Sequence, residues 1–376
     1  MNLSIPIWPA GDERDVFLRL QLRLPEPCRD GEIRCSASGP FQVYLDGARL
    51  GGGTGGMMME CPTCETLTLE GAWDSGELEL IVVANAGVAG DPWFQCEGGL
   101  FVAGKEGETL PIVSGVDWHG RFRRQDSDQR PGFERHMATD APVAGDCWQG
   151  VVIVQDPLEG MHELVGATEF AQSPQTLLDV GSVPTQSAAV TTLQPLGTCK
   201  CVHHDALLSG GHGATHVRTS PGQTVQLNFD FGRQLSGWPF LRLRGGRGGV
   251  VDMLLSSRRD SVEHTLRYHC GEGRQEMVGL VLARARYVTL QLTGFDDDDL
   301  PIEALQFLER HVAETATAQI GIDEGVDAAW IVGAESVHGS RQEVYGYRAL
   351  PKRYDWLEGW ILQSNDLTHT GSPRVA

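Results

Sequence analysis

The most constraining feature of the sequence is a strict two-residue alternation of apolar and polar side chains near the N-terminus. Residues 16–24 read Val-Phe-Leu-Arg-Leu-Gln-Leu-Arg-Leu, which places four leucines on one face and two arginines and a glutamine on the other. Successive side chains of a strand point to opposite faces, so this period predicts a half-buried β-strand. Pro25 and Pro27 end it, because proline has no N–H to donate to a neighbouring strand.

The same period recurs later in the chain. Residues 225–231 and 241–244 alternate in the same way, and further apolar runs predict strands at 78–83, 250–255, 287–292 and 302–308. Turn signals separate the runs: Asp46-Gly47 provides the positive φ of a tight hairpin, and a glycine-dense turn begins at Gly245. We therefore predict a mainly β fold of two antiparallel, jelly-roll-like β-sandwiches followed by a short helical C-terminal tail.

Changes in composition along the chain predict four segments. An N-terminal β-sandwich is expected over 1–170. A connecting segment rich in Ser, Thr, Gly, Gln and Pro, with an isolated strand or two, is expected over 171–215. A second β-sandwich is expected over 216–312. The remaining residues, 313–376, are predicted as a linker with a helix that Asp323 caps, ending in a loosely held polar stretch.

Charge and cysteine content restrict the function class. The chain has 50 acidic and 30 basic residues, a net charge of −20, whereas proteins that bind nucleic acid present basic faces. Neither a long apolar run nor the basic start of a secretory signal is present, so no membrane partner is predicted. Nine cysteines, an odd number without such a signal, predict reduced thiols and a cytoplasmic location.

Three stretches together resemble the bacterial α-L-rhamnosidases of glycoside hydrolase family 78. Residues 41–50, Phe-Gln-Val-Tyr-Leu-Asp-Gly-Ala-Arg-Leu, are similar to a hairpin of that family's N-terminal sandwich, and 73–84 are similar to the strand that follows it. Residues 117–124 are similar to the region that closes the sandwich. The most specific match is 229–239, which resembles the family's D-F-G-x-E-x-x-G-Y motif with Gln234 in place of Glu. Taken by itself, the run Phe-Asp-Phe-Gly at 229–232 predicts a strand that ends in a turn, with Asp230 bonding nearby backbone N–H groups.

The resemblance implies inverting hydrolysis of terminal α-L-rhamnosides by two carboxyl groups about 6.5–9.5 Å apart. In the family both carboxyls come from a C-terminal barrel of about a dozen helices, which need more than ~130 residues. Only 64 residues follow residue 312. We therefore predict a truncated form that is inactive alone; the alternative is a stand-alone non-catalytic carbohydrate-binding or scaffold protein built of β-sandwiches.

The sequence assigns no catalytic residue. Residues 340–345, Ser-Arg-Gln-Glu-Val-Tyr, resemble the family's entry to the barrel, but no Asp-Cys-Pro follows them. Asp355 and Glu358 lie nearby without an aligned counterpart, so neither receives a role. No cofactor is implied, because glycoside hydrolysis uses side-chain carboxylates and water.

No metal site is predicted either. The Cys61–Cys64 C-x-x-C pair and the cluster of Cys199, Cys201, His203 and His204 fall in different segments and are interpreted as unrelated groups. The acidic run 296–299 is interpreted as a solvated loop rather than a calcium site.

A rhamnose-containing glycoside or another carbohydrate is the expected small-molecule partner. Sugar rings stack on aromatic faces, which makes five tryptophans candidate contacts, with core packing as the alternative for each: Trp73, Trp93, Trp118, Trp148 and Trp238. Exposed sandwich edges also predict self-association.

Overall fold

A computed structural model describes residues 6–10, 15–55, 57–58, 61–85, 92–122, 133–137, 148–153, 162–163, 167–185, 193–259, 261–280, 282–295 and 299–312. The chain divides into two compact units. Unit 1 comprises residues 1–125 and 142–165, and unit 2 comprises 126–141 and 166–376.

Unit 1 is a β-sandwich whose strands join into one 13-stranded sheet among the described residues. Its strands are β1 Ile7–Pro9, β2 Asp15–Leu24, β3 Cys28–Ala37, β4 Phe41–Leu45, β5 Ala48–Gly53, β6 Met57–Met58, β7 Cys61–Trp73, β8 Gly76–Asn85, β9 Phe94–Val102, β10 Thr109–Val113, β11 His119–Phe122, β13 Gln149–Ile153 and β14 His162–Glu163. One layer contains β7, β3, β9, β10 and β1, and the other contains β11, β2, β8, β4 and β5. Strand β13 pairs with β1 in the first layer and with β11 in the second.

The strand predicted from the N-terminal alternation is confirmed as β2. Leu18, Leu20, Leu22 and Leu24 point into the core of unit 1, where Phe41, Phe94 and Trp118 also pack. The predicted hairpin is confirmed as well, because β4 and β5 pair across a turn in which Asp46 has φ 47° and Gly47 has φ 78°.

Unit 2 is a second β-sandwich, whose strands join into an 11-stranded sheet in the described part of the chain. Its strands are β12 Phe133–Met137, β15 Ala167–Gln172, β16 Thr176–Pro184, β17 Lys200–Val202, β18 Thr215–Arg218, β19 Gln223–Arg244, β20 Val250–Ser256, β21 His264–His269, β22 Arg274–Val278, β23 Ala283–Thr293 and β24 Leu300–Val312. The stretch predicted as a connecting segment contains β16, β17 and the end of β15, all of which belong to this unit.

Strand β19 belongs to both layers of unit 2. Residues 223–230 pair with β16 and β23, residues 235–237 pair with β23 again, and residues 237–244 pair with β24 and β22. The strand bends between Asp230 and Leu235, where the pairing register shifts and Gly232 has φ 80°. Glycine adopts this left-handed conformation without the clash of a Cβ atom, which lets one strand turn the corner of the sandwich.

The core of unit 2 lies between these layers. Alternate residues of β19, β20 and β23 meet residues of β24 there, including Leu227, Phe229, Met253, Leu290 and Phe307. The rings of Phe231 and Phe307 make an edge-to-face contact with centroids 5.5 Å apart.

The prediction of a mainly β fold is confirmed, and the strands pair antiparallel except for β12 with β21 and β14 with β7. The described residues contain no α-helix, only a 3₁₀ turn at His204–Leu207, so the predicted helical tail has no support there. The predicted helix from Asp323 itself lies outside the described residues. No helix of the described part has both the length and the apolar character to cross a membrane.

Candidate functional site

Three of the five tryptophans proposed as sugar contacts belong to the protein interior. Trp118 and Trp238 are fully buried and Trp93 is 4% exposed, so these three follow the core-packing alternative rather than forming sugar platforms. The Trp118 indole N–H donates to the Val113 carbonyl at 2.9 Å, which satisfies its polar atom inside the core. Trp73 and Trp148 are half-buried and keep part of their surface.

The cysteine clusters do not assemble a metal centre in the described part of the chain, where no group of three or more potential ligands occurs. Cys64 is fully buried and its Sγ lies 3.5 Å from Arg34 Nη2. Cys199 is buried, and burial raises the pKa of the Cys201 thiol to about 11. The side chain of Cys61 and the carboxylates 296–298 lie outside the described residues.

Polar side chains recur along the outward side of β19, β20, β21 and β23 in unit 2, interrupted by half-buried Leu254, the partner of Thr289. Backbone register places Gln226 beside Gln291, Asn228 beside Thr289, and Asp230 beside Tyr287. Strand β20 extends the first of these rows, because Asp252 is the partner of both Gln291 and Arg267. We call this surface the polar face: Gln226, Asn228, Asp230, Asp252, Arg267, Tyr287, Thr289 and Gln291.

Side-chain hydrogen bonds connect the middle of the polar face. The Gln291 amide donates to Gln226 Oε1 at 3.1 Å, and the Gln226 amide donates to Asn228 Oδ1 at 3.1 Å. The Thr289 hydroxyl donates to the same oxygen at 2.8 Å. All four side chains are only partly buried. The network therefore fixes the rotamers of neutral donors and acceptors that still face solvent.

Ion pairs flank this amide network on two sides. Arg267 donates to both carboxylate oxygens of Asp252, at 2.7 and 2.8 Å, and Arg286 donates to both oxygens of Asp230, at 2.8 and 2.9 Å. The Arg286 guanidinium also lies 5.1 Å from the ring centroid of Tyr287. The pKa of Asp230 is lowered, first because Arg286 bonds the ionised carboxylate, against an opposing effect of burial.

The bend of β19 adds a second group of polar contacts. Asp230 Oδ1 accepts the N–H of Gly232 at 2.7 Å, which confirms the expectation that Asp230 satisfies nearby backbone groups. The Gln234 amide donates to the Ser257 hydroxyl at 3.1 Å, and that hydroxyl donates to Glu263 at 2.8 Å. Gln234, the residue that departs from the family motif, is therefore engaged in a neutral hydrogen bond.

The buried carboxylate of Glu309, close to this bend, is held in an ion pair. Glu309 is 5% exposed, and Arg233 donates to both of its oxygens. A carboxyl group acts as a general acid when its environment raises its pKa and keeps it protonated. Asp230 shows the opposite shift, and Asp252 and Glu309 also each accept two bonds from an arginine. The arrangement is suited to binding hydroxyl groups rather than to donating protons.

The polar face was not predicted from the sequence. Its signal was present as polar residues at alternate positions, Gln226, Asn228 and Asp230 in one strand and Thr289 and Gln291 in another. Such alternation is the ordinary mark of a solvent-facing side. Only the register between β19 and β23 shows that the two sets lie side by side.

No protein-family profile matches the chain, and no curated protein matches it. The folds of several solved structures are nevertheless similar to it. The GH78-family rhamnosidase of Bacillus sp. GL1 has a TM-score of 0.60 at 11% identity, with 92% of this chain and 59% of that chain covered.

Two further α-L-rhamnosidases are similar in the same way. That of Aspergillus terreus has a TM-score of 0.55 at 14% identity over 84% of this chain and 37% of that chain. That of Dictyoglumus thermophilum has a TM-score of 0.54 at 12% identity over 91% and 39%. The chain thus spans 37 to 59% of the length of these proteins, and at this identity the likeness establishes a rhamnosidase-like fold.

Proposed function

We propose that residues up to 312 form the non-catalytic β-sandwich part of an α-L-rhamnosidase-type protein. The observation that carries this proposal is the fold likeness to the Bacillus enzyme, which extends over both units and 92% of the chain. On this proposal the chain corresponds to part of an inverting hydrolase, and it works in the cytoplasm with reduced thiols.

The electrostatics of unit 2 support the absence of catalysis from this part of the chain. Inverting hydrolysis requires one protonated carboxyl and one free carboxylate on opposite sides of a glycosidic bond. Asp230, Asp252 and Glu309 are instead bonded by Arg286, Arg267 and Arg233 respectively. Arg286 lowers the pKa of Asp230, so this carboxylate stays ionised near neutral pH and has no proton to donate to a leaving group.

The polar face favours a second function, carbohydrate binding. Sugar hydroxyls are recognised by fixed planar amides, carboxylates and guanidinium groups, with an aromatic ring to cover C–H surface. The face offers Gln226, Asn228 and Gln291 as amides, Asp252–Arg267 as an ion pair, and Tyr287 as a half-buried ring. This surface would serve equally in a stand-alone binding or scaffold protein.

Two measurements on the full chain test these functions separately. Hydrolysis of an aryl α-L-rhamnoside should stay at background, and turnover above background would contradict the non-catalytic assignment. Binding of L-rhamnose, followed by titration calorimetry or NMR line shifts, tests the polar face.

Substitutions at the polar face make the binding test specific. Asn228→Ala and Gln291→Ala each remove an amide of the network and should weaken sugar binding at least tenfold. Glu276→Ala is the matched control, because Glu276 pairs with Arg242 in the other layer of unit 2. Equal affinity in all three variants would show that sugar binds elsewhere or not at all.

A further inference from the structure

Unit 1 contains two cysteines that face each other across neighbouring strands. Cys35 in β3 is directly opposite Cys96 in β9, and both are fully buried. Residues directly opposite in an antiparallel pair direct their side chains to the same face of the sheet. Both thiols are free, and the Cys35 and Cys96 thiols share a hydrogen bond.

The backbone of Cys96 shows which kind of antiparallel pair this is. Its N–H donates to the Ser114 hydroxyl at 3.1 Å, and its carbonyl accepts the Ser114 N–H at 2.9 Å. The N–H and the carbonyl of Cys96 thus point away from β3 and towards Ser114, the residue that follows β10. Cys35 and Cys96 therefore form a non-hydrogen-bonded pair, the kind in which Cα atoms approach to about 4.5 Å.

That separation lies within the range of about 4.4–6.8 Å that disulfides span. The register is fixed one position further along, where Arg34 of β3 forms an ion pair with Glu97 of β9 at 2.9 Å. We propose that Cys35 and Cys96 are a disulfide-forming pair, so that oxidation joins β3 to β9 by a covalent bond inside unit 1.

The reaction is thiol–disulfide exchange with a small-molecule disulfide such as oxidised glutathione. One cysteine thiolate attacks the glutathione disulfide and releases one glutathione thiol. The second cysteine then attacks the mixed disulfide and releases the other. The protein loses two protons and two electrons, and the oxidant becomes two thiols.

Burial makes this reaction slow in the closed fold. The pKa of the Cys35 thiol is raised, first by its burial and then by the hydrogen bond to Cys96, so the nucleophilic thiolate is scarce. Oxidation therefore proceeds when β3 and β9 separate locally or before unit 1 has closed. A low concentration of urea should accelerate it.

Peptide mapping of the full chain is the direct test. After incubation with oxidised glutathione in low urea and refolding, the expected product is a Cys35–Cys96 cross-linked peptide, absent after incubation with reduced glutathione. Cys64 is the nearby competitor, and it lies on the other face of the sheet beside Arg34. A Cys35–Cys64 product, or no internal disulfide, would overturn the proposal.

Stability provides the second readout. The disulfide closes a loop of about 60 residues, so the oxidised chain should unfold in unit 1 at a higher urea concentration than the reduced chain. Cys35→Ala and Cys96→Ala should each abolish this shift. Cys28→Ala is the matched control, a buried cysteine of the same strand that should leave the shift intact. A shift that survives in both Cys35→Ala and Cys96→Ala would contradict the assignment.

Discussion

The Asp230 carboxylate holds Arg286 through two hydrogen bonds, at 2.8 and 2.9 Å, while it also accepts the N–H of Gly232 at 2.7 Å. One side chain therefore joins β19 to β23 at the position where β19 changes layer. The carboxylate is 14% exposed, so water competes weakly for these bonds. This contact links two strands at the corner of unit 2, and the first two predictions depend on it.

Asp230→Asn should destabilise unit 2 by about 1–3 kcal/mol, because a neutral amide cannot replace a charge-assisted bidentate pair. The free energy of unfolding from urea titration measures the effect. Asp179→Asn is the control, since Asp179 is 45% exposed and bonds Arg259 through one contact at 3.0 Å. That variant should change stability by less than about 1 kcal/mol. Equal losses in the two variants would contradict the role given to Asp230.

Acid should weaken unit 2 in a way that depends on Asp230. Its pKa is lower in the folded protein than its ordinary value near 3.9, so its contribution is complete above that value and is lost as pH falls through the folded pKa. Urea midpoints measured between about pH 6 and pH 2.5 should fall more steeply below pH 4 for the wild type than for Asp230→Asn. Parallel curves would show that the ion pair does not contribute to acid sensitivity.

Gly232→Ala should destabilise unit 2 by at least about 1–2 kcal/mol. The residue has φ 80°, which is strained for alanine, and the new Cβ would meet the side chain of Gln175. Gly222→Ala separates the two causes, because Gly222 has φ 73° with open space around it. Thermal unfolding should rank the losses Gly232→Ala above Gly222→Ala, and the reverse order would contradict the contact with Gln175.

Trp118→Ala should cost unit 1 about 3–5 kcal/mol, the range found when a large aromatic ring leaves a core cavity. Trp118 is fully buried, packs against Phe94 at 5.6 Å and bonds the Val113 carbonyl. Trp73→Ala, at a half-buried position, should cost less. Urea titration of both variants checks the difference, and a larger loss at Trp73 would show that the core of unit 1 is assigned incorrectly.

Local patterns predicted the parts of the fold that depend on neighbouring residues. The alternation over 16–24 located β2, Asp46-Gly47 located a hairpin, and the side chain of Asp230 was expected to bond nearby backbone. Each of these follows from side-chain direction or backbone φ within a few positions. They required no knowledge of the remainder of the chain.

Features set by long-range pairing were not predicted. Residues 176–184, Thr-Leu-Leu-Asp-Val-Gly-Ser-Val-Pro, show no clean alternation, yet they form β16 against the first half of β19. Tertiary pairing supplies the hydrogen bonds that local preference does not indicate. The turn at Gly232 was expected to end a strand, whereas β19 continues through it.

Neither the polar face nor the burial of the tryptophans could be predicted from the sequence, for the same reason. Gln226 and Gln291 are 65 positions apart and meet only through the register of β19 and β23. The sequence does not distinguish a tryptophan that packs in the interior, such as Trp238, from one that stacks on a ligand. Its position in the fold decides between them.

The passage of β19 through both layers has a consequence for how unit 2 comes apart. The first half of the strand is held by β16 and β23, and the second half by β24 and β22, along one uninterrupted backbone. Neither layer can therefore melt while the other keeps its full set of hydrogen bonds. Unit 2 should lose its structure in a single cooperative transition, with amide exchange in β23 and β24 governed by the same global opening.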